Sequence, residues 1–149
     1  MIKTAGIFLI RNDHHMLIGH PTKHKPEVWS IPKGQVEENE NIIAAAIRET
    51  FEETNIDVSD YKVIYELEPA PYPKMKKILY GVVLFESENP FNFHLFDIKC
   101  NSNVPLELGA FPEMDEFKWV SFDEAEHLVH AAQINCIQQI KELIKRKQK

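Results

Sequence analysis

A run of branched and aromatic residues from Ile2 to Ile10 gives way to the polar stretch "RNDHH", in which Asn12 and Asp13 are turn formers. With the apolar "MLIGH" following, the pattern predicts a β-hairpin. "PTKHKPE" and "VWSIPKGQVEENEN" then read as loops, the second interrupted by Pro32 and Gly34. From Glu40 to Thr54 the positions Ile43, Ile47, Thr50, Phe51 and Thr54 recur at i, i+4, i+7, i+8 and i+11. Counting the threonine methyls as apolar, this predicts a helix with one core-facing stripe. At about 100° per residue, Glu49, Glu52 and Glu53 fall on the other side, so the acidic face is expected to point away from the core.

Further along, "YKVIYELE" and "KKILYGVVLFES" read as strands joined by the proline-rich, basic connection "PAPYPKMK". "FNFHLFDIKC" reads as another strand, and "EFKWVSF" as a last short one leading into a helix that starts near Asp123. Ile134, Ile137, Ile140 and Ile144 keep helical spacing in the C-terminal segment. Strands and helices mixed in this order predict an α/β fold, a mixed sheet with helices on both faces.

The length of 149 residues suits one domain, residues 1–149, and 44% hydrophobic with 27% charged residues is an ordinary globular composition. A net charge of −6 argues against general nucleic-acid binding through the phosphate backbone, which calls for a clustered basic surface. The apolar run "ILYGVVLF" has the length of a strand rather than of a membrane span, and the N-terminal apolar run stops at Arg11, too short for a signal peptide. A cytoplasmic protein with no membrane partner is expected; a homodimer is compatible with the sequence and not required by it. Cys100 and Cys136 have neither disulfide-framework nor zinc-site spacing and read as free buried thiols.

The segment "IRETFEET" carries the first chemical signal. Glu49, Glu52 and Glu53 at i, i+3 and i+4 repel by a few tenths of a kcal/mol per pair. A charged outer face is what any amphipathic helix has. The wider spacing is more specific: Gly34, five residues, Glu40, seven residues, Arg48-Glu49, two residues, Glu52-Glu53. At residue frequencies of roughly 6 to 7%, six such fixed positions match by chance on the order of once in 10⁵ chains of this length. Adjacent carboxylates on a rigid helix suit Mg²⁺, which prefers hard oxygen ligands and keeps waters for exchange with phosphates. A bound cation would remove the repulsion.

The segment "GQVEENENIIAAAIRETFEETNI", Gly34 to Ile56, resembles the signature of the Nudix (MutT-like) hydrolases. Thr50 stands where that pattern has a bulky aliphatic residue, and Asn55 where it has its final glycine. "WSIPKG" and "PEMDEFKWVSFDEA" are also similar to segments of that family. The resemblance implies a mixed sheet between helices, and divalent-cation-dependent hydrolysis of a nucleoside diphosphate linked to another moiety. A dinucleoside polyphosphate or a nucleoside diphosphate sugar such as ADP-ribose is the expected small-molecule partner, with Mg²⁺ as cofactor and Mn²⁺ as its substitute. Nucleoside triphosphate clean-up is the closest rival, and a nucleotide-sensing domain without turnover is the rival from another class.

Carried over by position, the resemblance makes Glu52 and Glu53 the principal metal ligands. Glu49 is a further ligand or the group that orients or deprotonates the water, and Arg48 steers Glu49. Gly34 lets the loop approach the metal, which the Lys33 carbonyl is a candidate to ligate, and Glu40 is structural through a pairing with Arg48. Because the general base varies within the family, the loop carboxylates Glu113 and Glu116 are also candidates, with Glu116 preferred.

Other signals are weaker. His14, His15, His20 and His24 match no compact metal motif. Lys74, Lys76 and Lys77 read equally as contacts to outer phosphates or as a soluble loop. Tyr72 and Phe111 are candidates to stack on a base, although aromatic residues in strands and loops more often pack. The basic C-terminal tail complements the end of its helix.

Overall fold

Asn12 and Asp13 turn the chain back on itself with φ of 55° and 56°, a left-handed pair that asparagine and aspartate tolerate better than most residues. In the computed structural model, which describes residues 1–148, this turn joins β1 (Ile2–Arg11) to β2 (His15–Pro21), the hairpin expected from the sequence. The two strands pair only near the turn, at Ile10 with Met16 and Arg11 with His15. Beyond that point they part, and β3 (Lys33–Gln35) enters the fork to pair antiparallel with Thr4, Ala5 and Gly6 of β1. The stretch read as a plain loop therefore contains a strand. Gly6 permits the entry, because a Cβ there would stand 2.6 Å from the Pro32 carbonyl oxygen.

Among the described residues the mixed sheet has seven strands, in the order β4 (Tyr65–Glu66), β6 (Lys77–Phe85), β1, β2, β7 (Met114–Ser121), with β3 beside β1 and β5 (Ala70–Pro71) beside β6. Its axis is the parallel pairing of β1 with β6 (Lys77–Phe85), in register from Ile2 with Lys77 to Ile10 with Phe85. Alternation along these strands sends Ala5, Ile7, Leu9, Val82 and Leu84 to one face and Phe8, Ile10, Leu79, Val83 and Phe85 to the other. The first set packs under α1 (Ile42–Thr54) and the second under α3 (Ala131–Lys147). On α3, Ile137 and Ile140 are fully buried, each contributing roughly 1.5–3 kcal/mol.

Several elements differ from expectation for identifiable reasons. "YKVIYELE" forms only β4 (Tyr65–Glu66), because the Asn89 side chain takes the ladder partner's place ahead of it. Its Oδ1 accepts from Lys62 N and Val63 N at 2.9 and 3.1 Å, and its Nδ2 donates to Val63 O at 2.7 Å. The proline-rich connection contains β5 (Ala70–Pro71), which pairs with β6, and its turn places Lys74 at φ 62°. "FNFHLFDIKC" is not a strand. Phe91 and Phe93 stack with Trp119 and with each other, so their apolar surface is covered without a ladder, and Leu95–Asp97 is one 3-10 turn. β7 (Met114–Ser121) leads into the short α2 (Phe122–Glu126), and α3 follows with His130 as its N-cap.

Helix α1 is capped by Asn41, whose side chain accepts from Ala44 N, and ends at Asn55 with φ 66°. It is turned slightly from the expected stripe: Thr50 and Thr54 are buried and Ile43 and Ile47 pack against the core as expected, but Ala45, Ala46 and Glu53 are buried too and Phe51 is 44% exposed. The small side chains let the helix lie close to β1 and β3, and this brings Glu49 and Glu53 inward while Glu52 stays partly open to solvent. Among the described residues no helix is long and apolar enough to cross a membrane. Cys136 is buried and Cys100 half-buried, and burial pushes the Cys136 thiol up to about 12, where it is inert.

Candidate active site

Arg48 organises the acidic helix. Its guanidinium donates from Nε to Glu40 Oε2 at 2.8 Å and from Nη2 to Glu40 Oε1 at 3.0 Å, a two-point pair that holds the Glu40 carboxyl below its usual range. Nη2 also donates to Gln35 O at 3.0 Å, fastening β3 to the helix. The remaining nitrogen, Nη1, donates to Glu49 Oε1 at 2.9 Å and reaches both Glu52 oxygens at 3.3 Å. These acids in turn raise the Arg48 pKa, led by the hydrogen bond to Glu40.

Glu49 and Glu53 lie where the helix meets β3. The Glu49 carboxylate fills the space beside Gly34 that a side chain at that position would occupy. Glu53 is only 3% exposed, and its Oε2 has no hydrogen-bond partner. Burial and the adjoining Glu49 carboxylate push its pKa well up, with Glu113 adding to the rise and the Lys33 ammonium opposing it. Glu113, although exposed, is also raised, first by partial desolvation of its carboxyl and then by the charges of Glu49 and Glu52. Among the described residues no three His, Cys, Asp or Glu side chains stand in a finished metal-ligand arrangement. The donor set nonetheless fits a hard divalent cation: an orphaned buried carboxylate oxygen, two carboxylates beside it, and proton affinities that a cation would lower.

Glu113 precedes β7 and is clamped through its backbone, its N–H donating to Ser102 O and its carbonyl accepting from Thr22 N, both at 3.0 Å. Glu116, preferred from the sequence, lies elsewhere. On β7 it pairs with His20 of β2, and like Glu113 it is exposed. It shares a sheet face with Lys118 and Val120, opposite the face on which Phe117 and Trp119 pack toward α1. Strand alternation decided this, and the sequence alone could not say which face α1 would cover.

Lys33 joins the acids to a cleft of about 400 Å³ walled by Trp29, Tyr72, Met75, Val129 and His130. Tyr72 is 5% exposed and packs against the His130 ring at 4.8 Å, so it is both a core residue and a cleft wall. Lys74 and Lys76 are exposed on the β5–β6 turn, while Lys77 places Nζ 5.6 Å from the Tyr72 ring. Phe111 lies two residues before Glu113 under Lys23, whose Nζ is 4.2 Å from the ring. Trp29, His130, Ser102 and Thr22 were not singled out from the sequence for this site. Only "WSIPKG" gave a hint of Trp29; the others lie far from the acidic helix along the chain. Of the loop histidines, His20 bonds Asp115 and the Lys25 carbonyl, while the His14 and His15 rings lie 4.3 Å apart, tilted by 56°, at the hairpin turn.

The chain is similar to known proteins in sequence and in fold. An RNA pyrophosphohydrolase of Roseobacter denitrificans is 25% identical over 84% of this chain and 80% of its own length. The fold is similar to that of a C. elegans Ap4A hydrolase, with TM-score 0.64, 21% identity and 99% of both chains covered. It is also similar to the NUDIX domain of Shewanella oneidensis NrtR complexed with ADP ribose, with TM-score 0.67, 13% identity, and 97% and 88% covered. The NUDIX domain profile matches residues 2–140, so the chain belongs to the NUDIX domain family, and its enzymatic class is that of the Nudix pyrophosphohydrolases.

Proposed function

We propose that the protein hydrolyses a pyrophosphate bond in a nucleoside diphosphate linked to a second moiety, a dinucleoside polyphosphate or a nucleoside diphosphate sugar. The observation that carries this reading is the convergence of Glu49, Glu53 and Glu113 beside Lys33, which also borders the apolar cleft. When bound, a divalent cation, Mg²⁺ or Mn²⁺, would supply charge neutralisation at the phosphates and activation of a water. Glu52, Glu53 and Glu49, with the Lys33 carbonyl, would hold that ion. Arg48 aims Glu49 and Glu52 through the hydrogen bonds from its Nη1, and Glu40 anchors Arg48. The Lys33 ammonium meets phosphate between the acids and the cleft, whose walls Trp29, Tyr72 and Met75 receive the base. Glu113 takes the proton of the attacking water. Phe111, Lys74 and Lys76 lie at the periphery, where they meet the far end of a long substrate.

A second reading is favoured by the curated relatives, which carry the name RNA pyrophosphohydrolase. In it the substrate is the polyphosphorylated 5′ end of an RNA. The acidic net charge then makes the end, and not the backbone, the recognised part. Both readings are tested by comparing kcat/KM on diadenosine tetraphosphate, ADP-ribose, a nucleoside triphosphate and a short 5′-triphosphorylated RNA at equal Mg²⁺. Linked diphosphates turned over best support the first reading and the RNA turned over best supports the second. A clear preference for free triphosphates overturns both in favour of a clean-up enzyme, and no turnover of any returns the sensing domain.

A further inference from the structure

Asn55 stands where the family's pattern ends its helix with glycine. Its φ of 66° explains why it is tolerated, since asparagine enters the left-handed region at less cost than most side chains. Tolerance does not explain what its side chain does. Asn55 Oδ1 accepts from Asn101 Nδ2 at 2.9 Å, and the same Asn101 amide donates to Phe51 O at 3.4 Å. A carbonyl can only accept, so this second contact fixes which way the Asn101 amide points.

The backbone around Asn101 follows the same path. Lys99 N donates to Thr54 O at 3.0 Å and Asn101 N to Glu52 O at 2.7 Å. Residues 99–101 thus cover last-turn carbonyls of α1 that have no partner within the helix. The next residue is Ser102, whose carbonyl receives the Glu113 N–H at 3.0 Å and whose side chain adjoins the Glu113 carboxyl. A short bonded path therefore runs from the end of α1 through Asn55, Asn101 and Ser102 to Glu113.

We propose that the Asn55–Asn101 amide pair is a positioning lock, fastening the loop that carries Glu113 to the helical turn that carries Glu52 and Glu53. A glycine at position 55 would give the same helix end without a handle. Neither asparagine touches substrate; both act through Glu113, so the inference rests on the role proposed above for that carboxylate.

Asn55→Gly provides the test, because it keeps the left-handed cap and removes only the handle. Its Tm should equal or exceed that of the wild type, while kcat falls about fivefold with KM changed less than about twofold, the size of one net hydrogen bond. Asn101→Ala should match it, and Asn55→Asp, which keeps the acceptor, should restore kcat. In a Glu113→Gln background, Asn55→Gly should lower kcat no further. Wild-type kcat in Asn55→Gly, with Glu113→Gln slow, overturns the lock alone; an equal loss in both backgrounds overturns its action through Glu113. A Glu113→Gln protein that turns over at the wild-type rate removes the role of Glu113 and the lock with it.

Discussion

The Glu49 carboxylate occupies the place where a side chain on Gly34 would stand, so the loop backbone and the acidic helix touch with nothing between them. Gly34→Ala should therefore displace the carboxylate that Arg48 holds. The expected loss is about 2 kcal/mol of stability, a usual cost of overpacking, together with at least a tenfold fall in kcat. Thermal melts and steady-state kinetics check both. Adding Glu49→Ala should recover most of the Tm and none of the activity.

Glu53 is buried with an unpartnered oxygen and Glu52 is held loosely by Arg48, yet both are proposed as metal ligands. Glu52→Gln and Glu53→Gln should each abolish most turnover while the protein still folds. In chelator, Glu53→Gln should melt at or above the wild-type temperature, since it removes a buried group whose charge Glu49 and Glu113 oppose. The upward Tm shift on adding Mg²⁺ should shrink in both variants. A variant that melts much lower and still turns over would make this face structural.

Glu113 and Glu116 separate on geometry. Glu113→Gln should lower kcat by about 10²-fold or more, the size of a general-base contribution, while Glu116→Gln changes it by less than about threefold. The reverse result would restore Glu116 to the chemistry. If neither matters, Glu49 becomes the base.

His20 offers a pH dependence away from the acids. Burial lowers its pKa, but the bonds to Asp115 at 2.8 Å and to the Lys25 carbonyl outweigh it, and the net shift is upward from 6.5. Both ring nitrogens face acceptors, so only the imidazolium makes both bonds. The folded value lies above the unfolded one, so the stabilisation is fully present below 6.5 and is lost as pH rises through the folded value. Tm measured from about pH 6 to about pH 8.5 should decline for this reason, and His20→Gln should flatten that part of the curve.

Read by itself, the sequence determined the elements whose signals are local. The Asn12-Asp13 turn, the apolar runs of β1 and β6, the existence of α1 and the isoleucine spacing of α3 depend on neighbours a few residues apart. The spacing from Gly34 to Glu53 likewise identified the acidic helix as chemically special. Tertiary structure decided what each face meets. The sheet forks after Ile10 to admit β3, and the close packing of Ala45 and Ala46 rotates α1, so Glu53 is buried and Phe51 exposed. Stacking of Phe91 and Phe93 on Trp119 replaces a strand that alternation suggested. Which loop carboxylate faces α1 depends on the side of the sheet the helix covers, and the bond between Asn55 and Asn101 joins residues 46 positions apart. Such pairings are chosen by burial and hydrogen bonding across the fold, and no local pattern encodes them.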